Sequence, residues 1–160
     1  MNQPTARRDR FAISPVAGSH IALQRQTGQQ AVLADVIYVH GATFGADLSI
    51  YYPFDGRSWA DELAAIGLTV WGFDFVGYGA SSRYPVELRE PAGRIDDALR
   101  DLHCVVQAVR QRNDNRPLVL LAHSRGGAVA ARYAAEFTDD VSALVLFAPI
   151  IARAGAATPG

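Results

Sequence analysis

The residues best suited to chemistry lie in Leu118-Val119-Leu120-Leu121-Ala122-His123-Ser124-Arg125-Gly126-Gly127, where an apolar run stops at a serine with Ala122 and Gly126 two residues to either side. A helix-forming stretch from Ala128 to Phe137 follows directly. Strand, small-x-Ser-x-Gly and helix together make a nucleophile elbow, a strained turn that lifts a serine hydroxyl above a sheet edge. Such a turn needs small neighbours because its own backbone and the next strand approach closely; Ala122 and Gly126 meet that demand, and Gly127 extends it. The chemistry expected of Ser124 is nucleophilic attack on a carbonyl carbon. The Arg125 amide, at the start of the following helix, is placed to donate to the resulting oxyanion, with the helix dipole assisting.

A second donor is expected near His40-Gly41. The run Val36-Ile37-Tyr38-Val39-His40 reads as a buried strand ended by glycine, and the next amide, that of Ala42, falls where an oxyanion loop would begin. His40 is then structural. His123 adjoins Ser124, but neighbours in a tight turn point in different directions, so it is not expected to be the base. His103 sits among the polar positions of a helix, solvated or partly packed, and His20 carries no signal.

Asp74-Phe75-Val76-Gly77-Tyr78-Gly79-Ala80-Ser81 follows another strand. Gly77-x-Gly79 invites a dinucleotide-binding reading, but position 82 is serine where that fingerprint requires glycine, and Arg83-Tyr84-Pro85 opens no helix. Asp74, Gly77 and Gly79 instead read as a loop that walls a pocket.

These motifs must be positioned by alternating elements. Phe11–Ser14 and Ile21–Arg25 suggest a hairpin, with residues 1–10 polar and frayed. Ser58 fits a helix N-cap with Asp61 in its first turn, and Gly67 is a left-handed stop. Leu68–Phe75 is the next strand. From Pro91 to Arg112, Ile95, Ala98, Leu99, Leu102, Val105, Val106 and Val109 form one apolar stripe of a helix. Ser142–Ala148 is the last strand, and 152–160 reads as a flexible small-residue tail. Strands and helices that alternate argue an α/β fold with a mostly parallel sheet and one domain over residues 11–151. In such sheets the site lies at the carboxyl ends of the strands, where Gly41, Val76 and Ser124 all fall.

The three motifs, in this order and spacing, resemble the α/β-hydrolase superfamily, and most closely its serine esterase, lipase and peptidase-like branches. The resemblance covers about residues 11–150. It implies a sheet of about six strands with helices on both faces, Ser124 as nucleophile, no metal and no organic cofactor. It also implies a small uncharged carbonyl substrate: an ester, thioester, lactone or small amide. In this family the acid and then the histidine follow the nucleophile, yet here no histidine follows Ser124 and no carboxylate follows Asp140. The expectation is therefore an N-terminal part whose later strands, closing helix, lid, acid and histidine lie outside this sequence, and which is inactive alone. Two other readings remain: a non-catalytic form that binds an apolar ligand or partner, and a cofactor-free lyase or oxygenase on the same fold.

Composition narrows the classes further. The net charge of −1 gives no electrostatic reason to bind nucleic acid or an anionic membrane. All 15 basic residues are arginine, which excludes a Walker-A loop and Schiff-base chemistry. Cys104 is the single cysteine, expected as a buried structural thiol. No signal-peptide core or membrane span is apparent, so a cytoplasmic location is the expectation. Ser142–Ala148, uncharged and without internal proline, lacks the usual protections of an outer strand and is expected to self-associate if it forms one.

Overall fold

The computed structural model describes residues 7–15, 18–85 and 93–150. Its elements are β1 (Arg7–Ile13), β2 (Ile21–Thr27), β3 (Ala34–Val39), α1 (Trp59–Ala65), β4 (Leu68–Phe73), α2 (Ile95–Arg110), β5 (Leu118–His123), α3 (Arg125–Glu136) and β6 (Ala143–Phe147). The 6 strands form one sheet in the order β1-β2-β4-β3-β5-β6. β1 and β2 form the antiparallel hairpin, β2 runs antiparallel to β4, and β4, β3, β5 and β6 are mutually parallel. The α/β fold expected from the alternation of elements is thus observed.

Period-2 alternation divides the apolar side chains between two faces. Ile37 and Val39 of β3, Trp71 and Phe73 of β4, and Leu118, Leu120 and Ala122 of β5 pack against α2 and α3. The intervening Tyr38 and Val70 pack with Ala60 of α1 and with Ala46, Ile50 and Tyr51 of the β3–α1 connection. Both faces of the central strands are therefore covered, which is why their sequences read as nearly continuous apolar runs.

The helix boundaries follow local chemistry. Ser58 caps α1: its hydroxyl accepts from the Asp61 amide at 3.2 Å, and the Asp61 carboxylate accepts from the Ser58 amide at 2.7 Å. α2 carries the whole apolar stripe from Ile95 to Val109 but ends at Arg110, short of the expected Arg112. Arg94 is its N-cap, with its amide donating to the Asp97 carboxylate at 3.1 Å. The expected start at Pro91 lies outside the described residues.

Two further expectations need correction. Residues 7–10, read as frayed, belong to β1 and pair with Gln24–Thr27. Their polarity is that of an exposed edge strand, in which Asp9 bridges Arg7 at 2.9 Å and Arg25 at 2.5 Å. Residues 1–6 and the expected tail at 152–160 lie outside the described residues. Cys104 is half-buried rather than buried, and burial raises its thiol pKa, which keeps it protonated and unreactive.

Candidate active site

Three connections converge at the carboxyl ends of β3, β4 and β5. Ser124 joins β5 to α3 with φ 53° and ψ −122°, a region that residues bearing a Cβ seldom occupy. Neighbouring backbone enforces it: the Ser124 amide donates to the Phe147 carbonyl at 3.1 Å, and its carbonyl accepts from Gly127 at 2.9 Å and Ile150 at 3.2 Å. α3 presses its first turn onto β3 so closely that a Cβ on Gly126 would collide with the carbonyl oxygens of Val39 and His40. Ala122 is fully buried beneath the turn. The Ser124 hydroxyl, half-buried, has no hydrogen-bond partner among the described residues.

Gly41 faces that serine. A Cβ placed on it would stand 3.2 Å from the Ser124 Cβ and 3.3 Å from His123 Nδ1, so the end of β3 and the elbow are in van der Waals reach. The amides of Ala42 and Arg125 donate to no described group.

His40 is fully buried. Its Nδ1 lies 2.7 Å from the Gly41 carbonyl, and its Nε2 accepts from the Phe75 amide at 3.0 Å. The two partners assign the tautomer: a carbonyl only accepts and an amide only donates, so the proton resides on Nδ1. Burial, with ring contacts to Phe75 at 4.8 Å and Tyr78 at 4.9 Å, lowers its pKa and keeps it neutral. Because the C=O and N–H of one peptide unit point in opposite directions, holding the Gly41 carbonyl turns the Ala42 amide away from His40.

Asp74 is the second brace. Its carboxylate accepts from the Ala46 amide at 2.8 Å and the Ala80 amide at 2.9 Å, tying the β3–α1 connection to the loop after β4. A Cβ on Gly45 or Gly79 would collide with that carboxylate. Arg83 adds donors to the carbonyls of Gly77 at 2.9 Å and Gly79 at 3.1 Å.

No imidazole reaches the serine. His40 is committed as above; His103 Nδ1 lies 3.2 Å from the Tyr133 hydroxyl; His20 contacts Ser82 and Ala80; and His123 packs its ring on Phe147 at 5.4 Å. Phe147 in turn meets Trp59 edge-on at 5.5 Å, so an aromatic shelf runs outward from the residue beside Ser124. Sequence reasoning singled out neither Trp59 nor Phe147 for the site. The Arg125 side chain donates to the Gly93 carbonyl.

A strained serine at a strand-to-helix turn, two open amides and a braced loop are features shared with a known group. A family model described as serine aminopeptidase, S33, matches residues 32–159. The chain belongs to this α/β-hydrolase family. It is 32% identical over 114 residues to the (lyso)-N-acylphosphatidylethanolamine lipase of Homo sapiens, covering 71% of this chain and 30% of that protein. It is also 29% identical over 92 residues to the monoacylglycerol lipase of Mycolicibacterium smegmatis, covering 58% of this chain and 31% of the relative. The chain therefore spans about a third of the length of these curated relatives. Among solved structures, the α/β-hydrolase GrgF from Penicillium sp. superposes with a TM-score of 0.73 at 22% identity, covering 91% of this chain and 47% of that one. Est1E from Butyrivibrio proteoclasticus, bound to ferulic acid, gives 0.72 at 18% identity, covering 87% and 52%. These likenesses establish the fold. Among the described residues, no helix is long and apolar enough to cross a membrane.

Proposed function

We propose that this chain carries the nucleophile and oxyanion half of a serine hydrolase acting on uncharged acyl esters. Ser124 attacks the carbonyl carbon, the C=O π pair moves onto oxygen, and the Ala42 and Arg125 amides receive that oxyanion. A histidine and an acid beyond this chain complete the triad; the histidine takes the hydroxyl proton and returns it to the leaving alcohol. Water then hydrolyses the acyl-enzyme by the same route. The observation that carries the reading is the unbonded Ser124 hydroxyl at a positive-φ elbow, against Gly41. An ester with an apolar acyl group is favoured by the aromatic His123–Phe147–Trp59 shelf and by the names of the two lipase relatives.

The test is a fluorophosphonate label applied to the protein with its downstream sequence in place, with the modified peptide mapped by mass spectrometry. Label on Ser124, lost in Ser124→Ala, supports the proposal; label elsewhere overturns it. The 160-residue chain alone should show at most the residual catalysis of oxyanion donors, about 10³-fold over water.

The exposure of β6 on both faces favours a second reading, self-association. Val145, Leu146 and Phe147 are 49%, 42% and 50% exposed on a strand paired only through β5 among the described residues. Val145→Lys should then convert an associated form to monomer in size-exclusion chromatography with light scattering; a monomeric native chain removes this reading.

A further inference from the structure

A cavity of about 230 Å³ lies among the β1–β2 turn, the loop after β4 and the N-terminal half of α2. It includes none of Ser124, Gly41 or Ala42. Its walls are largely apolar, with Val76, Tyr84 and Pro85 beside the polar Arg83, Asp97, Arg100 and Asp101.

Asp101 is only 4% exposed. One carboxylate oxygen accepts from the Val76 amide at 2.9 Å, and the other takes no hydrogen bond from the described residues. Among the described residues no arginine forms an ion pair with it, although Arg100 acts on it through space. Arg100 directs its guanidinium to Asp97 at 3.3 Å, and Arg83 is committed to the Gly77 and Gly79 carbonyls. The other titratable groups near Asp101 are Asp97 and Cys104 on its own helix and Tyr84 across the cavity. Burial pushes the Asp101 carboxyl up to about 6, and the Asp97 carboxylate adds to that; the Val76 amide and Arg100 oppose it. A carboxylate oxygen open to the cavity, beside apolar walls and a second carboxylate, favours a donor that also brings positive charge.

The geometry points to this cavity as a binding site for a small organic ammonium ion, with its N–H on the free Asp101 oxygen and its apolar body against Val76, Tyr84 and Pro85. A dry cavity of roughly 150 Å³ accepts benzene, so this one accepts a ligand of about nine heavy atoms. Benzylammonium is a suitable probe. The inference is independent of the hydrolase proposal, since it uses none of the residues assigned to the reaction.

The experiment is ligand-observed NMR on the native chain with benzylamine at pH 7.5, calibrated by calorimetry. Benzylamine is expected to bind with a Kd of about 1 mM. Benzyl alcohol, the same shape without charge, should bind at least about tenfold more weakly, and benzylamine should weaken by about fivefold to tenfold at pH 5, where most of Asp101, with its carboxyl at about 6, is protonated. Asp101→Asn should weaken benzylamine at least about tenfold and change benzyl alcohol by much less, so that the preference for the amine disappears. Absence of benzylamine binding at millimolar concentration, equal affinity for amine and alcohol, or undiminished affinity at pH 5 overturns the site. The alcohol and pH arms use the native chain and decide the question without the variant.

Discussion

The two ends of the parallel strands solve opposite problems. At the amino end Asp35, fully buried at the start of β3, is saturated: Trp71 Nε1 donates to it at 2.6 Å and Arg116 Nε at 3.0 Å. At the carboxyl end Ser124 has a strained backbone, and its hydroxyl and two nearby amides have no described partner. One end uses its polar groups to close the fold. The other keeps its polar groups open, and the strands between hold the two apart. Stability and reactivity should therefore separate along the strand direction, and each substitution below tests that separation.

The largest effect is expected at the amino end. Asp35→Ala leaves a buried indole N–H unpaired and the half-buried Arg116 guanidinium with only the exposed Asp114 as counter-ion, so unfolding free energy should fall by about 3 kcal/mol. Asp35→Asn keeps an acceptor for Trp71 and should lose about half of that. Urea denaturation measures both. Fluorophosphonate labelling of Ser124, measured well below the transition, should be unchanged; a labelling rate that falls with Asp35 would show that the ends are coupled.

Asp101, on the carboxyl-end side through its bond to the Val76 amide, should behave in the opposite way. Its carboxyl sits at about 6 against an ordinary 3.8, so the native chain holds the proton more tightly than the unfolded one. The resulting contribution to stability is present below pH 4 and is lost as pH rises through 6. Asp101→Asn keeps the acceptor for Val76 and removes the buried charge. It should raise stability at pH 7 by about 2 kcal/mol and leave it nearly unchanged at pH 3.5. Urea midpoints at the two pH values check the sign; equal gains at both would remove the charge argument.

What the sequence made readable was local. Val36–His40, the Ser58/Asp61 cap and the Ala122–Gly127 turn each carry their cause within a few neighbouring residues, and the structure places all three as elements where they were expected. What escaped was set by partners distant in sequence. Arg7–Arg10 has no apolar period, and only pairing with β2 makes it a strand. Asp35 stands one residue outside the run read as strand, and its partners are 36 and 81 residues away. Asp101 occupies a polar letter of an amphipathic helix, yet it is turned inward to an amide 25 residues earlier. The dual role of His40 was half visible: its position before Gly41 implied structure, but only the fold brings the Phe75 amide to its Nε2.

The smallest expected effect tests the carboxyl end most directly. Ser124 at φ 53°, ψ −122° has the dihedral angles of the first central residue of a type II′ turn, a conformation glycine enters without a Cβ clash. Strain of this kind costs about 1–3 kcal/mol, whereas a new glycine loses about 0.5–1 kcal/mol through the greater freedom of the unfolded chain. The difference favours Ser124→Gly by about 1 kcal/mol. Ser124→Ala keeps the Cβ and the strain; with no hydrogen bond to lose, it should match the native chain to within about 0.5 kcal/mol. Both variants should lose the fluorophosphonate label. Urea midpoints for the pair therefore isolate the backbone term from the hydroxyl. A glycine variant no more stable than the alanine variant would mean that the elbow stores no strain, and the contrast between the two ends would then rest on open hydrogen-bonding groups alone.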